Sequence, residues 1–268
     1  MSRGPMKVAV VGKGGVGKTT VAGSMARIWA RGGLRVLAVD ADPAAHLHSV
    51  LGIARSEMPH PISEELDLIE ERTGARPGTS QGPFFKLNPR VEDIPDRYSK
   101  LGSDGVSLLV TGTIKAAGSG CFCPENAILR SLLEHIILER GDAVVVDMEA
   151  GLEQFGRATC RGVDMLLIVI EPGSRSMETA ARMAELSHEM GVKNMSVVAN
   201  RVRGKEEADA VAELLASHSL KLDYVLPYSE AVAKADMLGI SPLDHGDDNE
   251  WLSSVRRLSN GMLGSDRI

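Results

Sequence analysis

The 268-residue sequence is poor in aromatic residues and in cysteines, and it has no excess of basic side chains. Phe, Trp and Tyr make up 3% of the chain, so the core must consist of aliphatic side chains and methionine. The formal net charge of −6, without a cluster of Lys and Arg, argues against a nucleic-acid partner. No apolar run reaches membrane-spanning length, and the apolar stretch near the N-terminus is too short for a signal peptide. We therefore expect a cytoplasmic protein that binds neither nucleic acid nor membrane.

Short apolar runs alternate with longer helical patterns along most of the chain. The runs are continuous rather than alternating, which is typical of parallel strands that are covered on both faces. The predicted strands span residues 7–11, 35–40, 106–111, 143–148, 165–170, 195–200 and 222–226. This order predicts an α/β fold with a doubly wound, mostly parallel sheet and helices on both faces. We expect one domain over residues 1–268, with residues 52–105, rich in Pro and Gly, as an irregular excursion.

The segment GKGGVGKTT, residues 12–20, fits the phosphate-loop pattern G-x-x-x-x-G-K-[ST]. A predicted strand precedes it and a predicted helix follows, so a mere glycine-rich turn is the weaker interpretation. Backbone N–H groups of such a loop bind phosphate oxygens, Lys18 reaches the β- and γ-phosphates, and the Thr19 hydroxyl binds Mg²⁺. The predicted contacts to ATP or ADP in this loop are Gly12, Gly14, Gly15, Val16, Gly17, Lys18, Thr19 and Thr20.

Lys13 is a second lysine in the same loop, and cradling phosphate from within the loop does not need it. By itself it could be a solvated surface lysine. The segment KGGVGKT resembles, however, the deviant Walker A motif of the MinD, ParA and nitrogenase-iron-protein class of ATPases. That resemblance implies that Lys13 reaches across a homodimer to the nucleotide of the partner chain.

Two acidic positions follow predicted strands. Asp42 precedes Pro43 and is expected to cap the next helix; in the class that the chain resembles, the aspartate of this pair positions the attacking water. The resemblance thus makes Asp42 catalytic, together with Lys13 and Lys18. Asp147 ends the strand AVVVD, where a carboxylate beside a phosphate loop holds Mg²⁺ together with Thr19.

One further residue and three further segments belong to the predicted nucleotide site. The residue is Asp40, which could orient Mg²⁺ through water. The segment DMEAG resembles a switch II region whose Gly151 swings toward the γ-phosphate. The segments around residues 197–202 and 225–243 resemble base-binding regions, which implies that Asn200, Arg201 and Pro227 contact or line the site of the adenine.

Cys121 and Cys123 are separated by one residue and precede a helix that we predict to begin at Glu125. A disulfide between them would be strained, and such cysteines commonly bury as small apolar groups. A helix N-terminus lowers the pKa of a thiol, and two thiolates supply half of a tetrahedral site for a soft metal. A two-fold axis near this loop would bring four sulfurs together.

The segments CFCPENAILRSLL and VVDMEAGLEQFGR, with the phosphate loop, resemble the CooC family of nickel-insertion accessory ATPases of carbon monoxide dehydrogenase. The resemblance covers essentially the whole chain and extends to relatives that serve acetyl-CoA synthase. It implies an ATP-dependent metallochaperone that binds Ni²⁺, or Zn²⁺, through Cys121 and Cys123 at a homodimer interface. The client would be nickel-dependent carbon monoxide dehydrogenase or acetyl-CoA synthase. Cys160, His46 and His48 are interpreted as structural or surface residues.

Two other functions remain possible on the sequence. An electron-transfer ATPase like the nitrogenase iron protein could hold an iron–sulfur cluster between four interface thiolates, but residues 151–154 lack the cysteine expected after switch II. A positioning ATPase like MinD needs a basic amphipathic C-terminal helix. The stripe formed by Trp251, Leu252, Val255 and Leu258 is short and follows an acidic segment, so we expect that helix to pack on the core.

Overall fold

An eight-stranded sheet forms the centre of the structure, a computed structural model that describes residues 6–78, 85–112, 123–149, 157–245 and 250–264. The strands are β1 (Lys7–Val11), β2 (Val36–Asp40), β3 (Lys100–Leu101), β4 (Ser107–Val110), β5 (Ala143–Asp147), β6 (Met165–Ile170), β7 (Met195–Val202) and β8 (Tyr224–Pro227). Their order in the sheet is β3-β4-β2-β5-β1-β6-β7-β8. All neighbours pair in parallel except β3, which runs antiparallel to β4. The predicted doubly wound, mostly parallel sheet is therefore confirmed.

Ten α-helices are present in the described part of the chain. They are α1 (Lys18–Arg31), α2 (Leu47–Val50), α3 (Leu66–Thr73), α4 (Ile94–Tyr98), α5 (Pro124–Leu138), α6 (Arg157–Gly162), α7 (Ser174–Met190), α8 (Gly204–Ser217), α9 (Glu230–Leu238) and α10 (Glu250–Leu263). Within these ranges, no helix combines the length and the apolar character that crossing a membrane requires.

Both faces of the sheet are covered by apolar side chains. Ile128, Leu132 and Ile136 of α5 belong to the hydrophobic cluster on one face. Trp29 of α1 and Trp251 of α10 belong to the cluster on the other face. Every residue of β1, β2 and β5 is buried, which explains why these strands read as continuous apolar runs.

The segment 52–105 is irregular, with short 3₁₀ turns, α3, α4 and β3 between stretches without regular structure. Five of its buried apolar side chains belong to the same cluster as α5: Ile62, Leu68, Ile69, Val91 and Ile94. Ile53 belongs to the cluster on the other face, so most of the Pro- and Gly-rich stretch packs against the face that α5 covers.

The C-terminal helix α10 packs on the core, as its apolar stripe predicted. Its buried apolar residues are Trp251, Leu252, Val255, Leu258 and Met262. The Trp29 Nε1–H also donates a hydrogen bond of 3.1 Å to the carbonyl of Ser259. Because this stripe is covered by α1 and the sheet, it is not a free membrane-binding face.

Candidate functional site

The glycine-rich loop lies at the carboxyl end of β1, between β1 and α1, with β5 and β6 as the neighbours of β1. Gly12 approaches β6 so closely that a Cβ atom there would lie 2.3 Å from the backbone oxygen of Val169. Gly17 caps α1 with φ of 91°, a left-handed conformation that favours glycine. These two positions explain why the loop needs glycine at its first and last steps.

The two lysines of the loop have different environments. The Lys18 side chain is buried, and its Nζ lies 3.8 Å from Oδ2 of Asp42. Lys13 is exposed, and its side chain has no hydrogen bond or ion pair with another described residue. The structure therefore places Lys18 inside the site and Lys13 on the outer surface of the loop.

Thr19 and Asp147 meet directly, at the adjoining ends of α1 and β5. The Thr19 hydroxyl donates a hydrogen bond of 2.6 Å to Oδ2 of Asp147. Oδ1 of Asp147 is buried and has no hydrogen-bond partner among the described residues. Burial raises the pKa of this carboxyl to about 6, because a buried carboxylate lacks hydration. A hydroxyl and an unsatisfied buried carboxylate oxygen form the kind of oxygen site that Mg²⁺ takes.

The expectation that Asp42 caps a helix was wrong. Its Oδ1 accepts the Ala44 N–H at 2.9 Å, which forms a local turn, and α2 begins only at Leu47. The carboxylate that reaches the Leu47 N–H is that of Asp40, at 2.8 Å. Asn and Asp side chains commonly accept from a backbone N–H two residues on, and here that local bond prevails.

Asp40 anchors the loop that carries Asp42. Its Oδ1 accepts the Asp42 N–H at 3.2 Å, while its Oδ2 accepts the Leu47 N–H. Burial raises the pKa of the Asp40 carboxyl to about 7, and the neighbouring Asp147 carboxylate adds to this increase. Two buried acids beside one lysine favour binding of a cation at this end of the sheet.

The predicted base-binding residues line a pocket beside the loop. Asn200, Arg201 and Pro227 lie around it, together with Gly17, Thr20 and Trp251. The Asn200 amide donates to the Val16 carbonyl at 2.9 Å and accepts from the Trp251 indole at 3.1 Å. Trp251 was expected only as part of an apolar stripe, so its place in the pocket was missed.

Arg201 links the pocket to the loop. Its Nη1 donates a hydrogen bond of 2.9 Å to the Gly15 carbonyl and lies 3.5 Å from Oε2 of Glu171. The backbone of Arg201 is left-handed, with φ of 61°, which is uncommon outside glycine. The guanidinium therefore contacts the glycine-rich loop directly.

Only part of the predicted soft-metal site can be described. Cys121 lies outside the described residues, as does Gly151 of the predicted switch II region. Cys123 is half-buried and is the N-cap residue of α5, with Pro124 as the first helical residue. Within the described ranges, no three His, Cys, Asp or Glu side chains form a group that could hold a metal ion. A soft-metal site that includes Cys123 would therefore need ligands from outside these ranges or from a second chain.

Cys160, His46 and His48, interpreted from the sequence as structural or surface residues, lie where that interpretation expects them. Cys160 is buried, and burial raises the pKa of its thiol to about 11, so it stays protonated near neutral pH. His48 is buried, with Nδ1 2.9 Å from the carbonyl oxygen of Ile53, whereas His46 is exposed.

Comparison with known proteins places these features in a family. The CobQ/CobB/MinD/ParA nucleotide binding domain matches residues 7–243. An uncharacterized ATP-binding protein of Methanocaldococcus jannaschii is 44% identical, with coverage of 96% of this chain and 98% of the relative. The carbon monoxide dehydrogenase accessory protein CooC of Rhodospirillum rubrum is also 44% identical, with coverage of 89% and 90%. The light-independent protochlorophyllide reductase iron-sulfur ATP-binding protein of Rhodopseudomonas palustris is more distant, at 26% identity with coverage of 90% and 72%.

Solved structures share the fold at lower sequence identity. The MinC:MinD cell division protein complex of Aquifex aeolicus contains a chain with a TM-score of 0.68 and 20% identity, with 96% of each chain covered. MinD of Pyrococcus horikoshii, solved with Mg-ADP, has a TM-score of 0.65 and 16% identity, with coverage of 96% and 95%. At these identities the similarity establishes the fold.

Proposed function

This chain belongs to the CobQ/CobB/MinD/ParA nucleotide-binding family and is an ATPase related to CooC, and we propose that it is a nickel-insertion maturation factor. Its client would be carbon monoxide dehydrogenase or acetyl-CoA synthase. The observation that carries this proposal is the 44% identity to CooC over about nine-tenths of both chains. The cysteine pair before α5 gives the proposed metal function a chemical basis.

We assign ATP hydrolysis to the residues at the carboxyl ends of β1, β2 and β5. Backbone N–H groups of the loop and the Lys18 ammonium bind the phosphates, and this contact replaces the 3.8 Å approach of Lys18 to Asp42. Asp42, released from Lys18, orients the attacking water. Asp40 fixes the Asp42 loop through its two backbone hydrogen bonds.

Thr19 and Asp147 fit a magnesium ion, because one buried Asp147 oxygen lacks a partner and the Thr19 hydroxyl lies beside it. Mg²⁺ bound there would neutralise the β- and γ-phosphate charge. Its charge would also favour the ionised form of Asp147, whose pKa burial raises to about 6.

Nucleotide binding is proposed to close a homodimer. Lys13 projects from the loop without a partner in the described part of the chain, so its ammonium is available to a second nucleotide. A cation supplied in trans stabilises the charge of phosphoryl transfer only in the closed dimer, which couples hydrolysis to assembly.

Cys121 and Cys123 are the proposed ligands of the transported metal. Cys123 at the N-cap of α5 lies where the helix dipole favours a thiolate, and each chain supplies two of four sulfurs. Such a site suits Ni²⁺ or Zn²⁺. Closure with ATP would form the site, and hydrolysis would open it to release the metal to the client.

Two other functions are less well supported. An iron-sulfur ATPase is represented by a relative of 26% identity, well below the 44% of CooC. A MinD-like positioning role would require a membrane-binding terminal helix, whereas the apolar stripe of α10 is buried against the core.

The proposed function is tested by reconstitution. Nickel-free carbon monoxide dehydrogenase is incubated anaerobically with limiting Ni²⁺, MgATP and this protein, and carbon monoxide oxidation is measured. Wild-type protein should accelerate activation, and Lys18→Ala should not, because the β- and γ-phosphates lose their cation. Lys193→Ala is the matched control, since Lys193 is exposed and precedes β7 at the opposite edge of the sheet. Equal activation by wild type and Lys18→Ala would refute the ATP-dependent role.

A further inference from the structure

The side chain of Asn200 is held between two groups of opposite hydrogen-bonding character. Its Nδ2 donates to the Val16 carbonyl at 2.9 Å, and its Oδ1 accepts from Nε1 of Trp251 at 3.1 Å. Asn200 and Trp251 are both buried, with 4% and 1% of their surface exposed. The amide therefore has two permanent partners before any nucleotide arrives.

These partners fix which way the amide points. An indole N–H can only donate and a backbone carbonyl can only accept, so a flipped amide would face two mismatched contacts. Gly17 permits the close approach of the amide to the loop, because a Cβ there would lie 2.5 Å from Nδ2. The orientation is thus determined by α10 on one side and by the glycine-rich loop on the other.

Each end of the fixed amide keeps one capacity for a ligand. Oδ1 has a second lone pair and Nδ2 has a second N–H. The pocket beside them is lined by Thr20, Pro227, Val232 and Asp236, among other residues. An amide in this state complements a purine with a donor at position 6 and an acceptor at N7, which is adenine. A purine with a carbonyl at position 6, such as guanine, would place its oxygen against Oδ1.

We propose that Trp251 is a positioning residue that makes the pocket selective for adenine over 6-oxo purines, by holding the Asn200 amide in one orientation. This inference rests on the proposed nucleotide-binding function and adds the origin of its base selectivity. Trp251 lies outside the residues 7–243 that match the family, so the family match assigns it no role. The C-terminal helix thereby becomes part of the base-recognition site.

The first experiment compares ADP, IDP and GDP binding to the wild-type protein by calorimetry. IDP differs from ADP at positions 1 and 6 and lacks the 2-amino group of GDP. We expect IDP and GDP to bind about tenfold or more weakly than ADP, since a buried acceptor faces another acceptor. IDP binding as tightly as ADP would overturn the inference. Binding of none of the three would instead refute the proposed nucleotide site.

The second experiment uses Trp251→Phe, which removes the N–H donor and keeps most of the apolar contact. The ratio of ADP to IDP affinity should fall about fivefold, the value of one hydrogen bond. Trp29→Phe is the matched control, because Trp29 is equally buried and donates its N–H to Ser259, away from the pocket. That variant should keep the wild-type ratio.

A purely structural role for Trp251 would weaken ADP and IDP equally and leave the ratio unchanged, which would contradict the inference. A double-mutant cycle with Asn200→Ala tests the route of the effect. In the Asn200→Ala background, Trp251→Phe should cause no further change in the ratio. A further fall would show that Trp251 acts independently of Asn200 and would overturn the assignment. If Trp251→Phe does not fold, Trp251→Leu, which also lacks the N–H donor, is measured in its place, and an unchanged ratio of ADP to IDP affinity in that variant would equally overturn the assignment.

Discussion

Replacing Gly12 by alanine tests the closest backbone contact of the nucleotide site. The new Cβ would lie 2.3 Å from the Val169 carbonyl oxygen, whereas carbon and oxygen atoms normally approach to about 3.3 Å. Removing this steric overlap between the new Cβ and the Val169 carbonyl oxygen therefore requires β1 and β6 to move apart by about 1 Å. These strands are adjacent in the middle of the sheet, and Val11 pairs with Ile168 there, so no flexible side chain can absorb the shift.

The expected cost is about 3 kcal/mol of unfolding free energy, the upper part of the usual range for overpacking. Urea denaturation of nucleotide-free protein should show a midpoint lowered by about 1 M for a slope near 3 kcal/mol/M. Gly14→Ala is the matched control from the same loop, because a Cβ atom there would have open space around it and the φ of Gly14 is not positive. It should change the unfolding free energy by less than about 0.5 kcal/mol. Equal midpoints for the two variants would refute the described packing of the loop on β6.

Three further predictions address hydrolysis, assembly and stability. Asp42→Asn should bind MgATP with near wild-type affinity but hydrolyse it at least about 100-fold more slowly, because water loses its orienting carboxylate; normal turnover in a phosphate-release assay would remove Asp42 from this role. Lys13→Gln should bind ATP as a monomer yet fail to dimerise with a non-hydrolysable analogue in light scattering, whereas an unchanged dimer would make Lys13 a surface lysine. Arg27→Met should cost about 3 kcal/mol or more of unfolding free energy, because this buried guanidinium pairs with Asp104 at 2.7 Å and Asp244 at 2.5 Å. Burial opposes ionisation of Asp104, but hydrogen bonds from its arginine partners keep the pKa of this carboxyl below the ordinary 3.8. The stabilisation from this ion pair is therefore present above pH 4 and is lost as the pH falls further. The denaturation curves of wild type and Arg27→Met should converge in acid, and a constant difference between them would contradict the assignment.

Local spacing predicted much of the nucleotide site. The glycine-rich loop was identified because its pattern lies between a strand and a helix, and both elements are present. Thr19 and Asp147 were assigned to one ion because parallel strands end at the same edge of a sheet, and the structure brings these side chains to 2.6 Å. The helix predicted to begin at Glu125 begins one residue earlier, at Pro124, since apolar periodicity is strongest in long segments.

Contacts that depend on distant residues could not be predicted in this way. The Asp40 carboxylate reaches Leu47 only because the chain turns between them, so the capping role was given to Asp42 instead. The hydrogen bond from Trp251 to Asn200 joins residues 51 positions apart, and an apolar stripe carries no sign of it. The strand β3 is only two residues long and exposed, so it has no apolar pattern to detect.

The central claim is that two chains share one soft-metal site, and anaerobic nickel titration of the reduced protein tests it most directly. Nickel content and native mass are measured with a non-hydrolysable ATP analogue, for wild type, Cys121→Ala, Cys123→Ala and Cys160→Ala. We expect one nickel per two chains in wild type and in Cys160→Ala, and none in Cys121→Ala or Cys123→Ala, because the two-fold axis makes each substitution remove two sulfurs at once. One nickel in each chain, or full binding after loss of Cys121 or Cys123, would contradict a shared interface site.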